Sequence, residues 1–170
     1  PLETKLTREQ TIELTKVFFE NTEHNFASNV NETIEGNNPR VKLEMPDYDG
    51  TQKADTSNPD NVVVIVTVPI RGDLRDLYGM VHELTHTFDI GNGDTLSRRI
   101  LGEVAPQCME RMLDEYLLSL SQESLMKYGI DREILFKDIQ NRKVTTFLSR
   151  VDNANEFNKK QKNNSISYDK

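Results

Sequence analysis

Asp73-Leu74-Arg75-Asp76-Leu77-Tyr78-Gly79-Met80-Val81-His82-Glu83-Leu84-Thr85-His86 is the stretch on which the reading of this chain turns. Leu77, Tyr78, Val81, Leu84 and the following Phe88 recur with a helical period, which predicts a helix with that side on the core. Asp73 suits the N-cap position in front of it. His82 and His86 are two of the three histidines in the chain. They stand one turn apart at the edge of the apolar stripe, where both rings can face one metal ion. Glu83 sets a carboxylate beside them. His-Glu-x-x-His on a helix is the pattern a zinc hydrolase needs: imidazole ligands for the metal and a base for water.

Upstream, the β-branched run Val62 to Val68 predicts a strand buried on most of both faces, ended by Pro69-Ile70-Arg71-Gly72. Val41 to Met45 alternates apolar and polar, as a half-buried strand does. The polar residues from Pro46 to Asn61 between them read as a loop. Near the start, Thr7-Arg8-Glu9-Gln10 forms a capping box for a helix reaching about His24. A weaker helical pattern continues to about Glu35, and Gly36-Asn37-Asn38-Pro39 stops it.

Downstream, Gly91-Asn92-Gly93 ends the histidine helix, and a second long helix is predicted over Leu96 to Leu120. Its apolar face is Ile100, Leu101, Val104, Cys108, Met112, Leu113, Leu117 and Leu120; its polar face carries Glu103, Gln107, Glu110 and Asp114. Pro106 either kinks that helix or marks its true start. Asp131 to about Phe157 forms one or two further helices, and the Lys- and Asn-rich end reads as a disordered tail. The expectation is a single domain over 1–158 with a tail over 159–170. Its class is α+β, mainly α, with a small sheet.

Composition narrows the function. A net charge of −7 argues against a nucleic-acid partner, which calls for a basic face. The single cysteine, Cys108, excludes an internal disulfide and a cysteine-rich zinc module, and reads as a small core residue. No apolar run reaches the roughly 18 residues of a membrane span. The cytoplasm is the expected compartment, with export left open. Pro1 at the start suggests processing or a piece of a longer chain. Oligomeric state has no signature.

A catalytic zinc site takes three protein ligands and leaves one position open. A third histidine six residues after His86 would mark a metzincin, but that position is Asn92. His24 lies far upstream. Glu103, beyond the glycine turn and on a helix able to return antiparallel, is the preferred third ligand; Asp94 and Asp89 are rivals. Asp94 would make the site resemble aspartate-ligated zinc peptidases. Gln107, Glu110 and Asp114 read as a solvated stripe, or one of them as the partner that orients a zinc-bound histidine. Tyr116 and Tyr128 read as core or boundary residues, with an oxyanion role as the sharper alternative.

The stretch from Asp73 to His86 resembles the active-site helix of the thimet oligopeptidase/oligoendopeptidase F group of zinc peptidases, which are of gluzincin type. The second motif of that group, Glu-x-Pro-Ser-Gln-x-x-Glu, is matched at its first Glu, Gln and last Glu by Glu103-Val104-Ala105-Pro106-Gln107-Cys108-Met109-Glu110. The resemblance spans Asn61 to Leu120. It implies a minimal or isolated zincin-like catalytic domain holding one Zn2+ on His82, His86 and Glu103, with Glu83 as general base and a peptide or protein as substrate. Thr85 stands where the group has Gly, Pro106 is displaced by one position, and the link between motifs is shorter. The group's later His/Tyr-rich segment has no counterpart. That gap motivates a second expectation, a zincin-fold binding or regulatory module without turnover. A third is zinc-dependent hydrolysis of a non-peptide amide.

Overall fold

Thr7 and Gln10 cap the first helix reciprocally. The Thr7 amide donates to Gln10 Oε1 at 2.8 Å, and the Gln10 amide donates to Thr7 Oγ1 at 3.2 Å. The computed structural model describes residues 4–22, 24–47, 63–89 and 102–166. Helix α1 spans Arg8–Thr22 and α2 spans His24–Ile34. Gly36 follows α2 at φ 74°, a left-handed conformation that glycine adopts without strain. Strands β1 (Val41–Glu44) and β2 (Val64–Thr67) pair in parallel, with Val41 opposite Val64. The result is a mainly helical α+β architecture with a two-stranded sheet. Most of the loop expected over Pro46 to Asn61 lies outside the described residues.

In β1 Val41 is buried and Lys42 exposed as expected, but Leu43 and Glu44 are both partly covered, so the alternation does not continue. β2 does not have two buried faces: Val66 and Val68 are buried, whereas Val64, Ile65 and Thr67 are only partly covered and Val63 is exposed. A two-stranded sheet has too few neighbours to bury a strand on both sides, so the β-branched run marks strand propensity more than depth.

Helix α3 covers Leu74–His86 and buries Leu74, Leu77, Tyr78, Met80, Val81 and Leu84. Asp73 caps it as the sequence predicts, accepting from the Arg75 amide at 2.9 Å. Asp76 is buried too, and its carboxylate gathers the amides of Arg71 (2.9 Å) and Gly72 (2.7 Å). Gly72 makes that convergence possible with φ 80°. At the other end a 3-10 turn, Thr87–Asp89, carries Phe88 onto the first two helices. Phe88 stacks on Phe26 at 4.0 Å between ring centres and meets Phe19 edge-on at 5.7 Å, which fixes the direction of α3 just beyond His86.

Helix α4 spans Val104–Ser119 and packs mainly against α3. Pro106 is its third residue, in the first turn where an amide needs no partner, so the proline marks the start and not a kink. The part of the expected helix from Leu96 to Leu101 lies outside the described residues, as does the Gly91–Gly93 turn. The buried face keeps Leu113 and Leu117 of the expected one but differs at its start. Pro106, Met109, Leu113 and Leu117 face inward with Asp114, while Val104 and Cys108 are exposed. Cys108 is therefore not a core residue. The rotation follows from partners on α3 and beyond that draw Glu110 and Asp114 inward.

A short helix α5 (Gln122–Met126) leads through Ile130 into α6, Arg132–Ile166. Leu135 and Ile139 seat the first turns of α6 in the core. The helix continues to Ile166, across most of the stretch that composition marks as a tail. No glycine or proline occurs from Asp131 to Lys170 to interrupt it. Among the described residues, no helix is long and apolar enough to cross a membrane.

Candidate metal centre

Helices α3 and α4 run antiparallel, and their polar edges meet as three successive pairs: Tyr78 with Asp114, His82 with Glu110, and His86 with Glu103. Tyr78, His82 and His86 lie at i, i+4 and i+8, which is one stripe of α3. Glu103 is the N-cap of α4 but makes no side-chain capping bond, which leaves its carboxylate to reach across.

Three groups converge. His82 Nε2 and His86 Nε2 are 3.2 Å apart; Glu103 places Oε2 at 3.2 Å from His82 Nε2 and Oε1 at 3.5 Å from His86 Nε2. A tetrahedral zinc with nitrogen and oxygen ligands near 2.0–2.1 Å sets neighbouring ligand atoms about 3.3 Å apart. The three approaches lie close to that edge length. Two unprotonated ring nitrogens at 3.2 Å repel through their lone pairs, so a cation or a shared proton must lie between them. Two imidazoles and one carboxylate are also a zinc hydrolase's donor set. The residues fit the metal. Both rings are partly buried and Glu103 is mostly exposed, so among the described residues the centre lies at the rim of the fold.

His82 has a second partner on its other nitrogen. Nδ1 lies 2.7 Å from Glu110 Oε1. A carboxylate only accepts, so Nδ1 carries the hydrogen and the neutral ring keeps its Nε2 lone pair for the cluster. The Glu110 hydrogen bond pushes the His82 pKa up, burial opposes it, and the charges of Glu110, Glu83 and Glu103 add to the rise. Of the polar stripe on α4, then, Glu110 is the residue that orients a histidine. Asp114 is buried against Tyr78 at 2.5 Å, and Gln107 is exposed.

Glu83 follows His82 on α3 and is half-buried, within electrostatic reach of that ring though outside the three-ligand cluster. His24 opens α2 and Asp89 closes the 3-10 turn, but the side chains of both lie outside what the structure describes. Asp94 lies outside the described residues. Tyr116 meets Phe18 edge-on at 5.6 Å, and the Tyr128 hydroxyl donates to Glu13 at 3.3 Å; neither belongs to the three-ligand cluster.

Sequence reading passes over Arg142 on α6, whose guanidinium reaches Glu110 at 2.9 Å and Asp114 at 2.5 Å. The available signal is the adjacent pair Arg142-Lys143 inside a helix, set against the acidic stripe of α4. Compared with known proteins, the chain matches no family model, no curated protein and no solved structure.

Proposed function

We propose that the protein is a zinc-dependent metallopeptidase of gluzincin type, similar to the thimet oligopeptidase/oligoendopeptidase F group, on a zincin-like domain. The observation that carries this reading is the convergence of His82 Nε2, His86 Nε2 and the Glu103 carboxylate at 3.2–3.5 Å, near the edge length of a tetrahedral site. Those three residues would hold one Zn2+. The bound metal would acidify a water molecule and polarise the carbonyl under attack. Glu83, on the same helix as both histidines, takes a proton from water on its carboxylate and returns it to the departing amine nitrogen. Glu110 keeps the hydrogen of His82 on Nδ1 and so leaves Nε2 to the ligand set. An extended peptide has somewhere to lie: β2 pairs with β1 on one edge, and among the described residues no strand pairs with the other.

A second reading is a zincin-fold binding module that holds the metal without turnover. The absence from the sequence of any counterpart to the group's His/Tyr-rich segment favours it, together with the Tyr128 hydroxyl being held by Glu13 at 3.3 Å. One comparison separates the two. The protein is analysed for metal, then incubated with a peptide library with and without a chelator. Bound zinc with chelator-sensitive cleavage is the expected result. Bound zinc with no cleavage selects the module, and cleavage that ignores the chelator removes the metal from the reaction.

A further inference from the structure

The contacts that lead away from His82 end on a third helix. Glu110 accepts from His82 Nδ1 on Oε1 at 2.7 Å and from Arg142 Nη1 on Oε2 at 2.9 Å. Arg142 Nη2 donates to Asp114 Oδ1 at 2.5 Å, the same oxygen that accepts the Tyr78 hydroxyl at 2.5 Å. The central carbon of the guanidinium also lies over the Tyr78 ring, 3.8 Å from its centre. Lys143 adds a second positive charge 3.5 Å from Asp114 Oδ2. Tyr78 stands one turn before His82 on α3, Asp114 one turn after Glu110 on α4, and Arg142 bridges both from α6.

A glutamate side chain has three rotatable bonds, and one hydrogen bond to a ring nitrogen does not fix them all. Arg142 supplies the second anchor. Its planar fork gives one amino group to Glu110 and the other to Asp114, a division a single ammonium cannot reproduce with the same geometry. The Tyr78 face and the Asp114 carboxylate hold the guanidinium in turn. With both Glu110 oxygens engaged, the plane of the His82 ring is set, and its Nε2 points at His86 and Glu103.

We propose that Arg142 is a positioning residue for the His82–His86–Glu103 centre, acting through Glu110 to fix the ring plane and tautomer of His82. This rests on the reading of that centre as a metal site, although the effect on the ring is present without metal. Arg142 touches none of the three ligands directly, and it lies outside the sequence motifs that mark the site.

The test uses the whole chain with Arg142→Gln, Arg142→Lys, Glu110→Gln and the double variant. Zn2+ affinity is measured by competition with a chromophoric chelator. The ring nitrogens of neutral His82 are followed by NMR in metal-free protein. Arg142→Gln is expected to weaken zinc by about 10–100-fold, as loss of support behind a ligand does, and to shift His82 away from the Nδ1–H tautomer. Arg142→Lys recovers part of the affinity at an unchanged melting temperature. In the Glu110→Gln background, Arg142→Gln causes no further loss. An equal loss in that background would mean general loosening and overturn the proposal, as would unchanged affinity with unchanged nitrogen shifts. If Arg142→Gln fails to fold, Arg142→Lys decides: zinc binding and nitrogen shifts identical to the parent chain sink the proposal. If the parent chain takes up no zinc, the metal reading falls, and the His82 nitrogen shifts in the variants decide the role of Arg142 alone.

Discussion

The two ends of α3 treat charged groups in opposite ways. At the N-terminus, Asp73 and Asp76 are both buried, and their carboxylates are met by the chain's own amides at Arg71, Gly72 and Arg75. Those partners lie within five residues, so that end is locally complete. At the C-terminal end, His82 and His86 have their ring nitrogens turned toward each other and toward Glu103 from another helix. Among the described residues, no local backbone group answers them. A cluster answered by its own neighbouring amides serves the fold, whereas ring nitrogens and a carboxylate drawn together from two helices form a donor set that could hold a metal. The same helix thus carries a structural carboxylate lock at one end and a candidate metal centre at the other.

Substitutions at the two ends should separate those roles. Glu83→Gln, at the histidine end, is expected to lower peptide turnover by about 10²–10⁴-fold, the usual contribution of a general base. Zinc content and melting temperature should stay those of the parent chain. Turnover that survives the substitution would remove Glu83 from the reaction. Asp76→Ala, at the lock end, acts the other way. It strands the partly buried amides that now donate to the carboxylate, which costs about 1–3 kcal/mol of stability, read as a lower urea midpoint. Zinc affinity per folded molecule should not change; a large change there would mean the two ends are coupled and undo the contrast. Zinc itself should stabilise the chain by about 2.7 kcal/mol at a free concentration one hundred times its dissociation constant. His82→Ala should abolish that gain and Asp73→Ala should leave it intact, as thermal melts with and without chelator will show.

The lock and the ligand positions differ in how legible they are from sequence. Asp73, the apolar stripe of α3 and the capping box at Thr7 are short-range patterns, and each forms as the local spacing dictates. The approach of Glu103 to the histidines was also readable, because Glu103 lies far enough beyond His86 for its helix to return antiparallel. The buried face of α4 was readable in part. Leu113 and Leu117 face inward as expected, but Met109 is buried where Val104 and Cys108 are exposed. Only the partners of Glu110 and Asp114 on α3 and α6 set that rotation. Arg142 was illegible for the same reason: its contacts span 28 and 32 residues, beyond any periodicity. The burial of β2 depended on how many strands the sheet would have, which its own residues do not encode.

The smallest predicted effect sharpens the contrast through pH. Burial works against the charge on Asp73, but hydrogen bonds from the Arg75 side chain and amide, with the nearby charges of Arg75 and Lys5, outweigh it and hold the carboxyl below its ordinary value of 3.8. A carboxyl whose folded pKa lies below its unfolded one favours the folded state once both forms are ionised. Its contribution is therefore complete above the ordinary value and is lost as pH falls through the lower, folded value. Asp73→Ala should cost about 1 kcal/mol near neutral pH, as loss of an N-cap does. That difference in urea stability should hold steady down to about pH 4 and shrink below it. Asp73→Asn keeps an acceptor for the Arg75 amide without the charge, so it retains much of the cap and none of the pH dependence. A gap between parent and Asp73→Ala that stays constant to pH 3 would show that the cap works without ionisation. The N-terminal end of α3 would then owe its stability to hydrogen-bond geometry alone.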